Sequence, residues 1–371
     1  MDIASELTRH RSEVNAAIQR VLDSGQFILG GELAAFEQEF AQYQNMPYAV
    51  GLASGLSALK LMLQAFDIGA GDEVIVPANT YIATWLAVSQ VGAIPVPVEP
   101  DFGTRNIDPG RLAEALSTKS RAVLVTHLYG MPCNMNALVA FCRDHDLWLL
   151  VDAAQSCGAE WEGDRATCLG DAAAFSFYPT KNLATIGDAG AVTLFDAERA
   201  ERIRLLRNYG MKDRYQHQLK GENARMDELH AAVLRVRLRH LDKGNRRRRK
   251  IAAGYIKRLG RSQMLGFQEA PPPALPVWHL FTVTLSDRDV IARVLLENGV
   301  ETSVHYPIPP HRSEAYVNDR NAWSELPVTD RLARTILSLP CYPSMSDLAV
   351  NYVSDTLLKA LEGKNHHEQS D

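Results

Sequence analysis

Short runs of apolar and β-branched residues alternate with amphipathic stretches between about residue 50 and residue 200. The runs are EVIVP (73–77), AIPVPVE (93–99), RAVLVTHL (121–128), LWLLVDA (147–153), AAAFSFY (172–178) and GAVTLF (190–195). Alternation of this kind predicts an α/β fold, in which an open and mainly parallel sheet is covered by helices on both faces. Ligands of such sheets collect at the carboxyl ends of the strands. Asp152, Ser176 and His127 lie at or near these ends.

The carboxyl-terminal part of the chain carries a different pattern. The segment DELHAAVLRVRLRHLDK places apolar side chains at helical spacing, and the basic run RRRRK continues this helix. The proline-rich segment EAPPPALP (269–276) then leads to the strand-like HLFTVTL and the helical DVIARVLLENGV. We therefore predict a large domain over residues 1–240 and a smaller α+β domain over residues 241–371, with a polar tail after residue 362.

Bulk composition argues against several classes of protein. The 371 residues, 46% of them hydrophobic, suffice for a large core, and the formal net charge of -5 gives no general attraction to nucleic acid. The five cysteines form no CxxC pair, which indicates reduced thiols rather than a disulfide framework or a metal site. The amino terminus has no apolar signal core, and no stretch reaches the roughly 20 apolar residues that span a bilayer. We expect a cytoplasmic protein without a metal ion, a nucleic-acid partner or a membrane anchor.

The segment VGLASGLSALKLML (50–63) has the pattern of a phosphate-binding turn. A strand ends there at small residues, and the turn that includes Gly55 and Leu56 opens an amphipathic helix. Free backbone N–H groups and the positive end of a helix both favour an anion. An ordinary capped helix explains the same residues, and the lysine of a nucleotide-binding P-loop is absent.

Two further segments carry reactive side chains. VDAAQSCGA (151–159) ends a buried strand in Asp152, a residue that is also explained as a helix cap or turn former. AAFSFYPTKNLATIGDAGAVT (173–193) delivers Ser176, Tyr178 and Lys181 into a loop bounded by proline and rich in glycine. Pyridoxal phosphate (PLP) requires an amine for an imine, a carboxylate for its pyridine nitrogen and donors for its phosphate. The three segments supply one candidate for each requirement.

The motifs of the chain resemble those of a known enzyme family. They are GDEVIVPANTYIAT (71–84), HLYGMP (127–132), DAAQS (152–156), GDAAAFSFYPTKNL (170–183) and GENARMDELHAA (221–232). The chain is identified as a member of the DegT/DnrJ/EryC1/StrS family of sugar aminotransferases, and the resemblance covers nearly its whole length. It implies the aspartate-aminotransferase fold (PLP fold type I), with a mainly parallel seven-stranded sheet between helices.

The resemblance also implies the roles of individual residues around PLP. Lys181 would form the Schiff base, and Asp152 would contact the pyridine nitrogen. The remaining cofactor contacts would be Gln155 at the ring hydroxyl, Tyr81 stacked on the ring, and Gly55, Leu56 and Ser176 at the phosphate, joined by Asn223 of the partner subunit. The active enzyme would therefore be a homodimer with shared active sites.

Details within the family indicate the substrate. Leu56 stands where most members have threonine, and VEPDFGTRNID (98–108) with HLYGMP resembles enzymes that aminate carbon 3 of dTDP-linked 3-keto-6-deoxyhexoses. The resemblance implies L-glutamate as the amino donor.

Candidate substrate contacts have alternatives. Tyr178, His305 and Tyr306 are predicted to contact the sugar nucleotide, although Tyr178 is also explained as a core aromatic and His305 as a turn histidine. One arginine of residues 246–249 is predicted to reach a diphosphate across the dimer interface, and Arg247 is the named candidate. A charge run, however, usually forms a solvated helical face. Lys212 is a weaker candidate of the same kind, as is Arg214, while His127 and Tyr129 are also explained by packing.

Two other functions remain open at this point. A PLP-dependent sugar dehydratase has the same fold, but such relatives often have histidine where Lys181 stands. A non-catalytic PLP-binding regulatory protein would keep the phosphate-binding turn and Asp152 without turnover. A nicotinamide dehydrogenase is disfavoured because no GxGxxG follows the first strand.

Overall fold

The computed structural model describes residues 8–318, 323 and 325–368. Within the described residues, the helices α1 (Arg11–Ser24) and α2 (Gly31–Tyr43) precede the central sheet. Helix α1 buries Val14, Ala17 and Val21, which share one face because they are spaced three and four residues apart. No helix that the structure describes is long and apolar enough to cross a membrane.

The central sheet has seven strands, and six of them are parallel to one another. The strands are β1 (Tyr48–Leu52), β2 (Glu73–Pro77), β3 (Ile94–Val98), β4 (Ser120–Thr126), β5 (Trp148–Asp152), β6 (Ala172–Ser176) and β7 (Gly190–Leu194). Their spatial order is β1-β7-β6-β5-β4-β2-β3, and β7 runs antiparallel to both of its neighbours. The predicted mainly parallel seven-stranded sheet is thus confirmed.

Helices cover both faces of this sheet. One hydrophobic cluster packs α2, α5 (Met135–Asp144) and α7 (Glu228–Leu238) on one face, and a second packs α3 (Gly55–Ala65), α4 (Ala83–Gln90) and α6 (Ala197–Leu206) on the other. Strand β6 shows the alternation: Ala173 and Phe175 belong to the first cluster, and Ala172 and Ala174 belong to the second. A strand buried on both faces reads as a continuous apolar run, which is the pattern of AAAFS.

A smaller unit with its own hydrophobic cluster follows. Its elements are α8 (Leu241–Leu259), β8 (Gly266–Phe267), β9 (Phe281–Thr284), α9 (Arg288–Glu297), α10 (Pro327–Thr335), β10 (Ile336–Leu339) and α11 (Asp347–Glu368). Strands β8, β9 and β10 form an antiparallel sheet, and α8, α9 and α11 contribute to its core. The boundary at residue 240 stays a prediction, and it falls between the end of α7 and the start of α8.

Short strands and turns join these units. Ala274–Leu275 in the proline-rich segment pairs with Glu160–Trp161, which also pairs with Asp164–Arg165, so this segment is attached to the central unit. Met211–Asp213 and Gln216–His217 form a two-stranded hairpin. Short 3₁₀ helices occupy Pro109–Ala115, Leu128–Gly130, Ala166–Leu169, Pro310–Arg312 and Glu314–Tyr316.

Candidate active site

A cavity of about 490 Å³ lies at the carboxyl ends of the parallel strands. Most of the residues predicted to bind cofactor or substrate line it, and they come from segments more than 250 positions apart. These are Gly55, Leu56, Tyr81, Asp152, Gln155, Ser176, Tyr178, Lys181 and Tyr306. The strand-end position inferred from the sequence pattern is therefore where the structure brings these side chains together.

Lys181 lies in the loop between β6 and β7. Backbone hydrogen bonds shape this loop: the Lys181 N–H donates to the Tyr178 carbonyl, and the Thr185 N–H donates to the Phe177 carbonyl, each at 2.8 Å. Burial lowers the pKa of the Lys181 amine to about 8, although the charge of Asp152 opposes this shift. An amine with this pKa is neutral far more often near pH 7 than an exposed lysine is.

Asp152 is buried at the end of β5 and is held by two donors. Its Oδ2 accepts a hydrogen bond of 2.7 Å from the Thr84 hydroxyl, and its Oδ1 accepts one of 3.1 Å from the Ala154 N–H. Burial raises the pKa of this carboxyl, whereas Thr84, Ala154 and the charge of Lys181 lower it. A desolvated carboxylate of this kind is suited to face a positively charged nitrogen. Thr84 was not predicted from the sequence, although it is the last residue of the motif GDEVIVPANTYIAT.

The start of α3 forms the floor of the cavity. The Ser54 hydroxyl accepts a hydrogen bond of 3.1 Å from the Ser57 N–H and so caps the helix. Among the described residues, no acceptor contacts the amides of Gly55 and Leu56. A Cβ added to Gly55 would lie 2.7 Å from the Ser176 Cβ, so glycine permits this close approach. The helix is thus both capped and open to an anion, and the donor set fits a phosphate group.

Gln155 connects the cavity to two tyrosines. Its Oε1 accepts a hydrogen bond of 2.6 Å from the Tyr129 N–H, and its Nε2 donates one of 2.9 Å to the Tyr306 hydroxyl. The Tyr129 hydroxyl donates to the carbonyl of His305, and the Tyr306 ring lies 5.4 Å from the Tyr81 ring. Tyr129 therefore acts as a packing residue that fixes the segment carrying His305 and Tyr306.

The two predicted histidines have different surroundings. His127 is fully buried, its Nδ1 accepts from the Cys133 N–H at 3.2 Å, and burial lowers its pKa to about 4, in agreement with a packing role. His305 does not line the 490 Å³ cavity. It lines a neighbouring cavity of about 660 Å³, and Thr180 lines both. Burial, followed by the charge of Lys181, lowers the pKa of His305 to about 4, so its imidazole is neutral at pH 7.

The predicted phosphate-binding cations lie outside the cavity. Arg247 pairs with Asp347 at 2.5 Å and donates to the Met345 carbonyl, and Arg248 is buried with carbonyl oxygens as acceptors. Lys212 lies exposed in the hairpin of residues 211–217. The same hairpin carries Arg214, whose guanidinium lies 5.2 Å from the ring of its neighbour.

Asn223 is also outside the cavity of its own chain. It is exposed, and it forms an isolated backbone bridge with Asn208. The predicted role of Asn223 places it in the partner's site, so its distance from this cavity leaves that prediction open.

His10, Glu13 and His240 place three possible metal ligands within 4.8 Å of one another. The two imidazole rings stack at 3.5 Å, with 7° between their planes. An imidazole nitrogen binds a metal through a lone pair in the plane of its ring, and two stacked parallel rings cannot both direct such lone pairs at one ion. The Glu13 carboxylate contacts one nitrogen of each of the two stacked imidazoles, and we assign no metal to this group.

The family model of the DegT/DnrJ/EryC1/StrS aminotransferases matches residues 8–358. The chain belongs to this family. The resemblance predicted from the motifs is confirmed, and with it the fold, the aminotransferase class and the cofactor PLP.

Individual relatives are similar over nearly the whole chain. This DegT/DnrJ/EryC1/StrS aminotransferase is 48% identical to a dTDP-3-amino-3,4,6-trideoxy-α-D-glucose transaminase of Streptomyces venezuelae, over 93% of this chain and 91% of the relative. It is 46% identical to the erythromycin biosynthesis sensory transduction protein EryC1 of Saccharopolyspora erythraea, over 96% of this chain and 98% of the relative. The crystal structure of S. venezuelae DesV in complex with a ketimine intermediate superposes with a TM-score of 0.94, at 47% identity and 96% coverage of both chains.

Proposed function

We propose that this aminotransferase transfers the amino group of L-glutamate to carbon 3 of a dTDP-linked 3-keto-6-deoxyhexose. The observation that carries the proposal is the convergence of Lys181, Asp152 and the start of α3 on one cavity. The dTDP-linked amino sugar is named for the S. venezuelae relative and is transferred to this chain on the strength of 48% identity.

The residues of the cavity fit PLP. When bound, PLP supplies a carbon that accepts and returns an amino group, beside a ring that withdraws electrons. The Lys181 amine would bind covalently to that carbon. Asp152 would face the ring nitrogen, because a buried carboxylate needs a cationic partner. Gly55, Leu56 and Ser176 would donate to the phosphate, Tyr81 would pack on the ring and Gln155 would meet its hydroxyl.

Lys181 would also move the proton of the reaction. With a pKa of about 8, about a tenth of the Lys181 amines are neutral at pH 7. A neutral amine can accept a proton from the carbon of the amino donor, and the protonated amine can donate one to carbon 3 of the sugar. One side chain thus serves both the glutamate half and the sugar half of the reaction.

The sugar nucleotide would contact Tyr178, Tyr306 and His305. Tyr178 is half exposed at the cavity mouth, and His305 lines the adjoining cavity as a neutral imidazole that can bind a sugar hydroxyl without adding charge. Lys212 is exposed and available to a diphosphate. Arg247 would have to exchange Asp347 for the diphosphate, so of these two cations Lys212 has the lower cost of binding.

We place this reaction in the cytoplasm. The five cysteines are free thiols, and all except Cys168 are buried, as suits a reducing compartment.

Exposed apolar side chains support a homodimer with shared sites. Phe27, Ile28, Leu29 and Ile186 are exposed apolar side chains. Ile28 pairs with Asp227, which follows Asn223 in the same segment, and the loop of Ile186 contacts the nearby first turn of α7 through Thr185 and His230. Exposed apolar surface beside a binding site is typical of an interface.

Mixed variants test the dimer. When Lys181→Ala and Asn223→Ala chains are mixed and allowed to exchange, about a quarter of the sites should regain both side chains, because half of the dimers are mixed and each has one intact site. Activity should rise to about that fraction of the wild type. The control pairs Lys181→Ala with Asp152→Ala, which belong to the same site and should give no recovery. Recovery in the control, or none in the test pair, would contradict the shared site.

A mass-spectrometric screen tests the reaction. Purified protein is incubated with PLP, L-glutamate and dTDP-, UDP- or GDP-linked 3-keto and 4-keto sugars, with samples lacking glutamate as controls. We expect a product with one added nitrogen, formed fastest from a dTDP-linked 3-keto-6-deoxyhexose. Loss of water without nitrogen would indicate a dehydratase. Bound cofactor with no turnover of any sugar would favour a regulatory protein; the S. erythraea relative is named a sensory transduction protein.

A further inference from the structure

Asn182, the residue after Lys181, is held by three hydrogen-bonding groups. Its Nδ2 donates to Asn245 Oδ1 at 2.9 Å and to the Val277 carbonyl at 3.2 Å. Its Oδ1 lies 3.1 Å from Nδ1 of His279. Asn245 belongs to α8, and residues 277–279 lead into β9. The lysine loop is thus tied to two elements of the smaller unit through one amide group.

These contacts fix the tautomer of His279. The Asn182 nitrogen already donates twice, so its oxygen must be the acceptor for His279. The Nδ1 of His279 therefore carries a proton, and Nε2 of the neutral ring carries a lone pair. Burial, followed by the charges of Lys181, Arg248 and His305, holds the pKa of His279 well below its ordinary value. The ring is neutral at pH 7.

Further bonds make the surroundings of His279 rigid. Asn245 Nδ2 donates to the Cys157 carbonyl at 3.0 Å, and Arg248 donates to the His279 carbonyl at 3.0 Å. Asn245, which accepts a hydrogen bond from Asn182, is therefore held by the Cys157 carbonyl. The backbone of His279 is held by the buried Arg248. A buried network in which each member has a partner specifies one arrangement.

We propose that His279 is a positioning residue for Lys181 and acts through Asn182. The proposal rests on the function proposed above, because Lys181 must leave the cofactor, move a proton and return. Its long side chain is flexible, so the accuracy of these movements depends on a fixed backbone at residues 181–182. His279 supplies this fixation with its Nδ1 proton. His279 also lines the 660 Å³ cavity, but its Nε2 has no part in the proposed role.

Two substitutions distinguish the roles of the two ring nitrogens of His279. In His279→Asn the amide nitrogen replaces Nδ1 and can still donate to Asn182, whereas in His279→Gln the amide replaces Nε2 and the donor is lost. We expect His279→Asn to keep kcat within about threefold of the wild type. His279→Gln should lower kcat by about 10- to 100-fold, with the KM values of both substrates nearly unchanged.

A spectroscopic readout distinguishes positioning from a general loss of structure. The visible absorbance of the lysine-bound cofactor is titrated with pH, and its apparent pKa should shift in His279→Gln but not in His279→Asn. Asn182→Ala should behave like His279→Gln. The matched control is Asn136→Ala, because Asn136 also makes two side-chain hydrogen bonds, to Trp161 and Glu162, and lies outside both cavities.

The opposite order of the two variants would overturn the proposal. If His279→Gln is active and His279→Asn is not, Nε2 contacts the substrate directly. Equal rates, or equal losses without a shift in the titration, would also overturn it. The titration needs no sugar substrate, so a shift confined to His279→Gln and Asn182→Ala supports positioning even if the sugar screen fails. If His279→Gln does not fold, Asn182→Ala carries the same comparison.

Discussion

Lys181→Ala is expected to lower the rate of glutamate-dependent sugar amination by at least about 10⁴-fold. The substitution removes the amine that would hold the cofactor and the group that would move the proton, so both halves of the reaction are affected. The fold should persist, because the backbone of residues 177–185 is held by hydrogen bonds that do not involve the lysine side chain. Initial rates measured by product mass, together with thermal unfolding, check this result.

A matched control and a chemical label complete this prediction. Lys119 is exposed and remote from the cavity, so Lys119→Ala should leave the rate unchanged. Borohydride reduction of the wild-type protein with PLP should attach the cofactor to the peptide that contains Lys181. A label on a different lysine would refute the assignment, as would wild-type turnover by Lys181→Ala.

Asp152→Asn is expected to lower kcat by about 10²- to 10⁴-fold and to change the KM values much less. The amide is nearly the same size as the carboxyl, and its oxygen can still accept from the Ala154 N–H. The Thr84 hydroxyl can turn to accept from the new amide nitrogen, because it also contacts the Thr80 hydroxyl at 2.9 Å. Shape is therefore conserved, and the loss isolates the effect of the negative charge that we propose faces the ring nitrogen.

Asp171→Asn is the control for burying an amide in place of a carboxyl. Asp171 also has a pKa raised by burial and accepts a hydrogen bond of 2.8 Å from the Leu149 N–H, but it lies outside the cavity. Thermal unfolding of the two variants should differ little, whereas only Asp152→Asn should lose activity. Parallel losses in both variants would mean that Asp152 is structural.

Several features of the fold could be predicted from local sequence, and others could not. Each of the six apolar runs contains a strand of the central sheet, because a strand covered on both faces by helices needs a continuous apolar segment. Helix α1 was not predicted, although Val14, Ala17 and Val21 have helical spacing. Its apolar residues stand in short groups separated by polar ones, so the segment contains no long apolar run.

Some residues of the candidate site could likewise be predicted from the sequence, and others could not. Residues at strand ends were predicted because topology brings strand ends together wherever the sheet is parallel. Thr84 and His279 were missed because a hydroxyl or an imidazole within an apolar stretch has no periodic signal. The pairing of Arg247 with Asp347, 100 positions later, depends on how α11 lies against α8, which the local sequence does not reveal.

The residues that line the 490 Å³ cavity fall into two groups, which should tolerate substitution differently. All of the lining residues described lie between positions 54 and 188 except Tyr306, which belongs to the segment that also carries His305. Several of the lining residues between positions 54 and 188 are proposed to bind PLP, whereas Tyr178, His305 and Tyr306 are the proposed sugar contacts. Directed evolution toward a new sugar should therefore randomise Tyr178 and residues 305–306 and leave the proposed PLP contacts intact.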